Sequence, residues 1–227
     1  MRVVCMIPAR MGSKRIPNKN LRDLGGMPLI SHVIRAAKSA NCFDSIYVNS
    51  ESPIIGDLAI KEGVEFYQRP EHLSSDTATN DDFTEDFLHS IDCDYVVQLL
   101  PTSPFITAEE IRDFTQITLS DDYDTVVSVK DIQIECIYKD KPINFDQEKP
   151  TPPSQELEPI KAYACTLMGW RRSKFLENME RIGCAYHGGD GAIKFVELKG
   201  FSEVDIDHEE DFQLAEAMWG YINERKN

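Results

Sequence analysis

The chain of 227 residues carries 39 acidic and 24 basic side chains, so its formal net charge at pH 7 is −15. This acid excess excludes the broad basic face that nucleic acids or anionic membranes need, but a local basic pocket for a small anion is compatible with it. The leading apolar run is too short for a secretory signal, and no run approaches the roughly 18 apolar residues of a membrane span. Six scattered cysteines without a C-x-x-C pair predict reduced thiols and a cytoplasmic protein.

The first predicted element is a short buried strand over residues 2–7, and a basic loop over residues 9–19 follows it. No acidic residue precedes Asp23, yet six of the 24 basic residues lie in this N-terminal stretch. A cationic loop at the carboxyl end of a strand is typical of a polyanion site, with a nucleotide triphosphate as the first candidate. The alternative is a solvated basic surface loop. The residues expected to contact phosphates are Arg10, Ser13, Lys14 and Lys19.

Strands and helices alternate along the rest of the first 130 residues. Such alternation predicts right-handed crossovers, and the strand at 95–100, which is apolar on both sides of Gln98, suits a position buried in a parallel sheet. We therefore expect an α/β fold with a doubly wound, mostly parallel sheet. The further predicted strands cover residues 45–49, 64–68, 95–100, 125–129, 163–168 and 194–198, with helices between them and a last helix from Glu209.

The alternation stops between residues 131 and 159, where five prolines exclude a continuous helix. Alternate apolar residues over 132–138 resemble a strand with one buried face. The segment is too long and too rich in proline for an ordinary connection. We therefore expect an α/β nucleotide-binding domain of residues 1–130 and 160–227, and an inserted arm of residues 131–159.

A second polar patch follows the predicted strand at 64–68. Open α/β sheets bind ligands at the carboxyl ends of their strands, so this patch is expected to contact the nucleotide. Alternatively it is a helix entry, and we assign the N-cap to Thr79. The amide of Asn20 can recognise a base edge, although capping of the turn at Leu21 explains it equally well. The further residues expected to bind the nucleotide are Asn20, Arg69, Asp76, Thr77 and Asn80.

Two acids close together, Asp205 and Asp207, stand in an apolar frame near the C-terminus. On a strand, residues two apart face the same side, so both carboxylates would converge on one point. They would disfavour each other's ionisation unless a cation joined them, and oxygen ligands of this kind suit Mg²⁺ on a triphosphate. The alternative is that Asp207 caps the last helix.

Four stretches of the chain resemble one known family. The run I-P-A-R-M-G-S-K at 7–14, followed by Lys19 and Asn20, is similar to the nucleotide-binding signature of the CMP-sialic acid synthetases. The pattern R-P-x-x-L-x-x-D-T at 69–77, L-P-T-S-P-F at 100–105 and D-I-D at 205–207 are similar to further segments of that family. The resemblance implies a nucleotide-diphospho-sugar transferase-like fold.

The resemblance also implies a reaction. The family transfers CMP from CTP to the anomeric hydroxyl of an acidic nine-carbon sugar and releases pyrophosphate, with Mg²⁺ as cofactor. Arg10, Lys19 and Asp207 are then the expected catalytic residues, and Asp205 and Asp207 the expected metal ligands. Thr102, Ser103 and Gln155 are expected to bind the acceptor.

The chain departs from the family pattern on the acceptor side. Leu100 replaces a glutamine, Ile106 stands where an arginine is frequent, and Ser154 replaces an arginine. Two alternatives therefore stay open: the same reaction on another acidic acceptor, such as a 3-deoxy-octulosonate or a phosphonate, or a non-catalytic nucleotide-binding homologue.

The inserted arm carries an expectation about assembly. The resemblance implies that the arm is a dimerisation element that reaches over the partner's active site. Lys161 or other residues near the end of the arm are expected to complete the acceptor pocket across the interface. We therefore expect a two-fold homodimer. The alternative is that the arm folds back on its own core.

Overall fold

The fold is taken from a computed structural model, which describes residues 1–224. Its helices are α1 (Leu29–Ala40), α2 (Pro53–Lys61), α3 (Asn80–Ser90), α4 (Ala108–Thr118), α5 (Arg172–Ile182) and α6 (Glu209–Glu224). Its strands are β1 (Val3–Pro8), β2 (Asp23–Leu24), β3 (Met27–Pro28), β4 (Ser45–Ser50), β5 (Glu65–Gln68), β6 (Tyr95–Leu99), β7 (Thr125–Ile132), β8 (Ile137–Tyr138), β9 (Lys141–Pro142), β10 (Ile160–Arg171) and β11 (Ile193–Glu197).

A seven-stranded sheet with the order β11-β7-β10-β6-β1-β4-β5 forms the centre of the molecule. Every neighbouring pair is parallel except those of β10, which runs antiparallel to both β6 and β7. The prediction of a doubly wound, mostly parallel sheet is therefore confirmed. No helix in the described part of the chain is long and apolar enough to cross a membrane.

Strand β1 explains why its sequence is apolar at successive positions. Val3, Cys5 and Ile7 face a core shared with α1, α2 and α4, whereas Val4 and Met6 face a second core shared with α3 and α5. Because both faces of the strand are covered, no polar alternation appears in it. Burial of each large side chain contributes about 1.5–3 kcal/mol to stability, which holds β1 firmly in the sheet. The basic loop therefore emerges at a fixed position, the carboxyl end of β1.

Two helices begin with a capping box, in which the N-cap and the third helical residue exchange hydrogen bonds. In α3, Thr79 accepts a hydrogen bond from Asp82 N while the Asp82 carboxylate accepts one from Thr79 N, which confirms Thr79 as the N-cap. Thr107 and Glu110 make the same exchange at α4. The Glu110 carboxylate also accepts a hydrogen bond of 2.7 Å from Ser202, so this cap joins α4 to the segment that precedes Asp205.

Replacement of Thr107 by alanine is expected to lower the free energy of unfolding by about 1 kcal/mol, because an N–H group of α4 loses its acceptor. Urea unfolding followed by circular dichroism measures the change. Thr151, an exposed residue of the arm, provides the matched control, since Thr151→Ala should change the free energy by less than about 0.5 kcal/mol. Equal stability of the two variants would contradict the role of the cap.

The excursion lies between β7 and β10, which pair as far as Ile132 and Ile160. The predicted strand over 132–138 is wrong beyond the end of β7, since only the two-residue β8 follows, in a hairpin with β9. The side chain of Asn144 holds the segment by accepting a hydrogen bond from Cys136 N and donating to the carbonyls of Ile134 and Glu158. Hydrogen bonds that a side chain supplies have no periodicity in sequence, which is why the strand prediction fails here.

The arm exposes apolar side chains. Ile134, Ile137, Tyr138 and Ile143 are 52–65% exposed, so these four do not pack on the core of their own chain. This contradicts the alternative that the arm folds back on that core.

Candidate active site

A cavity of about 380 Å³ opens at the carboxyl ends of β1 and β6. The strand ends bring two loops together there, as expected for an open α/β sheet. One loop follows β1 and supplies the basic residues, and the other follows β6 and supplies Leu100, Pro101 and Thr102. The cavity lining thus contains six predicted site residues together with Arg15, which the sequence did not single out: Arg10, Ser13, Lys14, Lys19, Asn20 and Thr102.

Asp76 lies between two of the loop cations. Its carboxylate is 3.1 Å from Nη1 of Arg10 and 2.5 Å from Nζ of Lys14. The hydrogen bonds from Lys14 and then Arg10 hold the pKa of Asp76 below its ordinary value. All three side chains are substantially exposed, so these ion pairs contribute little to stability. A polyanion in the cavity would therefore compete with Asp76 for both cations at small cost.

Asp207 pairs with the other two loop cations. Its carboxylate is 3.0 Å from Nη1 of Arg15 and 3.3 Å from Nζ of Lys19. The Lys19 side chain is only 11% exposed, and its Nζ also donates a hydrogen bond of 2.6 Å to the carbonyl of Ile206. Two bonds to adjacent residues fix the ammonium group of Lys19 at the boundary between the basic loop and the acidic segment.

The expectation that Asp205 and Asp207 lie on a strand is wrong, since residues 204–207 form none, although both carboxylates do lie beside the site. Ile206 N donates a hydrogen bond to the carbonyl of Thr102. This single backbone bond does not extend into a strand ladder, because β6 already pairs with β1 and β10. Ile206 is fully buried against α6 and the basic loop. Because the side chain of Ile206 points into this core, its two neighbours, Asp205 and Asp207, stay partly exposed.

Asp211, in the first turn of α6, holds the backbone that leads into this helix. Its carboxylate accepts hydrogen bonds from Asp207 N at 3.0 Å and from His208 N at 2.7 Å. The hydrogen bonds given for the Asp207 carboxylate in the described residues come from Arg15 and Lys19 and not from an N–H group of α6, which contradicts the alternative that Asp207 is the cap. The Asp207 carboxylate faces the loop cations instead, where a cation or a phosphate-bound metal can reach it.

Burial raises the pKa of Asp205, and the negative charge of Asp207 raises it further, whereas a hydrogen bond with Thr102 lowers it. Two carboxylates that repel each other in this way are a suitable seat for a divalent cation. The described residues contain no group of three or more acidic, histidine or cysteine side chains that could hold a metal on their own. Two carboxylates alone do not complete the coordination of a metal ion. Asp205 and Asp207 therefore fit Mg²⁺ if substrate phosphates and water supply its other ligands.

The raised pKa of Asp205 predicts a pH-dependent effect on stability. The folded state binds this proton more tightly than the unfolded state, so the stability it supplies is complete below the ordinary pKa and is lost as the pH rises through the folded pKa. Without added metal, Asp205→Asn should therefore melt above the wild type at pH 7, by about 2–4 °C for each kcal/mol gained. The difference should shrink as the pH approaches 4, roughly the ordinary pKa of aspartate.

Differential scanning fluorimetry across this pH range measures the difference in melting temperature. The matched control is Asp113→Asn, which changes an exposed carboxylate of α4 and should leave the melting temperature unchanged at every pH. A lower melting temperature of Asp205→Asn at pH 7 would contradict the electrostatic account.

Asn20 is positioned in the cavity wall by one half of its amide. Its Nδ2 donates a hydrogen bond of 3.0 Å to the carbonyl of Arg10, whereas its buried Oδ1 has no partner. A buried acceptor without a donor is costly, so this atom is prepared for a ligand that donates a hydrogen bond. The exocyclic amino group of cytosine or adenine is such a donor.

Arg69 lies behind the cavity and does not line it. Its Nε donates 2.6 Å to Oδ1 of Asn49, its Nη2 donates 2.8 Å to the carbonyl of Asn49, and its guanidinium lies 4.2 Å from the ring centre of Phe83. Only 3% of Arg69 is exposed, and burial lowers its pKa to about 10. Its nucleotide-binding role stays a prediction, while its contacts show that it supports β4 and the entrance to α3.

The other predicted residues are distributed around the site. Thr77 is exposed beside Asp76. Asn80, the first residue of α3, accepts a hydrogen bond of 3.4 Å from Gln98. Ser103 does not reach the cavity surface, because it is fully buried and its hydroxyl lies 3.0 Å from that of Thr166. Gln155 is exposed in the arm, away from the cavity of its own chain. Their roles in binding stay predictions.

Sequence reasoning did not single out the residues that connect these parts. Arg15 is one of the basic loop residues, so its cationic context was a usable signal. Asp211 has the position of an ordinary acid in the first turn of a helix and gave no such signal. Cys165 adopts a left-handed backbone with φ of 55° where β10 changes register between Tyr163 and Met168. Nothing in a cysteine predicts that conformation, which glycine or asparagine adopts more readily.

Comparison with known proteins adds the following findings. A family profile described as cytidylyltransferase matches residues 4–150. The N-acylneuraminate cytidylyltransferase of Streptococcus agalactiae serotype III is 36% identical over 136 residues, which are 59% of this chain and 33% of that protein. The CMP-N,N'-diacetyllegionaminic acid synthase of Legionella pneumophila is 41% identical over 123 residues, which are 52% of this chain and 53% of that protein.

The matched part of this chain thus corresponds to about a third of the first relative and about half of the second. Among solved structures, a CMP:2-keto-3-deoxy-manno-octonic acid synthetase complexed with CTP superposes with a TM-score of 0.76, covering 97% of this chain and 99% of that one. The sequence identity in this superposition is 17%, so the likeness is one of fold.

Proposed function

Because this chain belongs to the cytidylyltransferase family, we propose that it transfers CMP from CTP to the anomeric hydroxyl of an acidic nine-carbon sugar and releases pyrophosphate. The two relatives described above carry the names of N-acylneuraminate and legionaminic acid enzymes, and both names denote acidic sugars. These names support the choice of acceptor class for this chain.

One observation carries the proposal. Four cations of the loop after β1 surround a single cavity, and two of them are held by Asp207, which adjoins the second carboxylate of Asp205. A triphosphate needs several positive charges at once, and its leaving group needs them most as the bond to the α-phosphorus breaks. The unpartnered Oδ1 of Asn20 adds an acceptor suited to the amino group of a cytosine base.

The chemistry follows from this arrangement. The anomeric hydroxyl of the acceptor attacks the α-phosphorus in line, its proton passes to water, and the bond to the departing pyrophosphate breaks. Arg10 and Lys19 would neutralise charge on the phosphates, and the fixed ammonium of Lys19 would need no reorganisation during the step. No covalent intermediate with the protein is required.

Mg²⁺ is the proposed cofactor. Asp205 and Asp207 would hold it through carboxylate oxygens, and when bound it would neutralise negative charge on the triphosphate. Arg15 and Lys19 would then direct to phosphate oxygens the N–H groups that meet Asp207 in the described structure, while the hydrogen bond from Lys19 to the Ile206 carbonyl keeps its ammonium group in place. The same residues thus serve the site with and without nucleotide.

A second acceptor class is the alternative to an acidic nine-carbon sugar (a nonulosonate). Leu100 lies in the cavity wall and brings an apolar side chain to a position next to Pro101 and Thr102. This wall favours an acceptor with fewer polar substituents at that point, such as a 3-deoxy-octulosonate. A panel of sugar acids with CTP, monitored by pyrophosphate release, distinguishes the two classes by their values of kcat/KM.

Nucleotide choice tests the cytidylyltransferase assignment directly. CTP with Mg²⁺ should raise the melting temperature more than ATP, GTP or UTP at the same concentration, because a ligand that binds only the folded state stabilises it by mass action. A hundredfold difference in affinity corresponds to about 2.7 kcal/mol at saturating ratios. Equal shifts with all four nucleotides would contradict the choice of cytidine.

Assembly as a homodimer is the last part of the proposal. The exposed apolar face of the arm supports it, since a second copy could cover Ile134, Ile137, Tyr138 and Ile143. Light scattering at micromolar concentration should give twice the mass of 25.8 kDa. Removal of residues 139–150 should yield monomers that still bind CTP but do not turn over, and a monomeric wild type would contradict this part of the proposal.

A further inference from the structure

Glu51 is the first residue after β4, and its half-buried side chain reaches the basic loop. Main-chain bonding between β1 and β4 extends to Ala9 N, which donates a hydrogen bond of 3.0 Å to the carbonyl of Asn49. Bonds of a parallel ladder recur at every second residue, so the next one would join Met11 N to the carbonyl of Glu51. Met11 N donates to Oε1 of the Glu51 carboxylate instead, at 2.7 Å, while the carbonyl accepts 2.8 Å from Gln68 Nε2. The basic loop thus leaves the sheet but stays tied to the end of β4 by the Glu51 side chain.

This hydrogen bond fixes the orientation of one peptide unit of the basic loop. The N–H group of Met11 and the carbonyl of Arg10 belong to the same trans peptide, so they point in opposite directions. The N–H group faces Glu51, and the carbonyl accepts 3.0 Å from Nδ2 of Asn20 on the other side. Because a carbonyl oxygen can only accept, Asn20 must turn its Nδ2 towards this peptide and its Oδ1 away from it. The orientation of the peptide therefore decides which half of the Asn20 amide is left without a partner.

The amide of Asn20 would be reversed if the peptide had the opposite orientation. Met11 N would then face Asn20 and use Oδ1 as its acceptor, which would leave Nδ2 for a ligand in the cavity that Asn20 lines. Cytosine carries an amino group where uracil and thymine carry a carbonyl oxygen, so cytosine needs an acceptor and uracil needs a donor at this point. In the described structure the group without a partner is the acceptor Oδ1. The peptide orientation thus favours one pyrimidine over the other.

We propose that Glu51 is a positioning residue that selects cytosine over uracil, an inference that rests on the proposed function. It acts through the peptide between Arg10 and Met11 and through Asn20, and it does not itself contact the nucleotide. Without Glu51, the peptide loses the hydrogen bond that favours one orientation, and Asn20 can present either half of its amide. An acceptor that faces another acceptor leaves both without a partner, and this penalty is large enough for about tenfold discrimination.

The test measures the Kd values of CTP and UTP by titration calorimetry with Mg²⁺ and without an acceptor sugar. The wild type should bind CTP at least about tenfold more tightly than UTP, whereas Glu51→Ala should bind the two within about threefold of each other. Glu51→Gln keeps an acceptor oxygen at the same reach and should retain the wild-type ratio. The matched control is Glu65→Ala, which removes an exposed acid from the opposite end of the neighbouring strand β5 and should also retain it.

A second pair of variants separates positioning from a general effect on the fold. Circular dichroism verifies that each variant is folded. If Glu51→Ala does not fold, Glu51→Asp provides the same comparison, because it shortens the side chain by one methylene group and should also lose the ratio. Asn20→Ala should lose the ratio as well, and addition of Glu51→Ala to it should change the ratio no further, since both residues act on the same contact.

The outcomes are distinguishable. A wild-type ratio in folded Glu51→Ala or Glu51→Asp would overturn this inference alone. Loss of the ratio in Glu51→Gln to the same extent as in Glu51→Ala would assign the effect to the charge of Glu51 and also overturn it. Equal affinity of the wild type for CTP and UTP would contradict the choice of cytidine in the proposed function and, with it, this inference.

Discussion

Replacement of Asp207 by asparagine is expected to reduce kcat/KM at least about a hundredfold, with little change in the fold. The substitution keeps the volume of the side chain but removes the charge that meets both Arg15 and Lys19. It also removes a proposed ligand of Mg²⁺. Backbone bonds of this segment should survive, because the acceptor of Asp207 N is the carboxylate of Asp211.

Steady-state pyrophosphate release measures this loss, and thermal unfolding verifies that the variant is folded. The matched control is Glu210→Gln, which neutralises an exposed acid in the first turn of α6 and should keep activity within about twofold of wild type. Activity of Asp207→Asn within about threefold of wild type would remove Asp207 from both the metal site and catalysis.

Replacement of Arg69 by methionine is expected to lower the free energy of unfolding by about 2–3 kcal/mol. The carbonyl and the side-chain oxygen of Asn49 both lose a charged donor in a buried environment, and Phe83 loses the guanidinium above its ring. Urea unfolding measures the loss.

The exposed pair of Lys149 and Asp146 provides the control, because Lys149→Met removes a surface ion pair and should cost no more than about 1 kcal/mol. The experiment also separates two roles of Arg69. Wild-type stability of Arg69→Met combined with loss of the CTP-induced shift would contradict the supporting role and make Arg69 a nucleotide ligand instead.

The sheet could be predicted from sequence because its central strands are buried on both faces. The run of β1 is apolar from Val3 to Pro8, and that of β6 has Gln98 as its one polar amide, while Thr79 and Thr107 mark where helices begin. The antiparallel orientation of β10 was not predictable, because a buried strand has the same composition in either direction. Its extension to Ile160 was also hidden, since half-exposed residues at this end show no clear period.

The candidate site was predictable only in part, for a different physical reason. A basic loop at the end of a buried strand must emerge at one edge of the sheet, so the convergence of its cations follows from local sequence. The partners of those cations do not, because the hydrogen bond between Arg15 and Asp207 joins residues 192 positions apart. The burial of Arg69 likewise depends on Asn49 in another strand. Pairings of this kind are properties of the folded chain.

The central claim is that this protein attaches CMP to an acidic sugar. The most direct measurement follows the phosphorus atoms of CTP during incubation with Mg²⁺ and a nonulosonate acceptor. With CTP labelled at the α-phosphorus, the account predicts that the label moves into a sugar nucleotide in an amount equal to the pyrophosphate released. Label that stays in CTP, or that appears in free CMP without a sugar conjugate for every acidic acceptor tested, would contradict it.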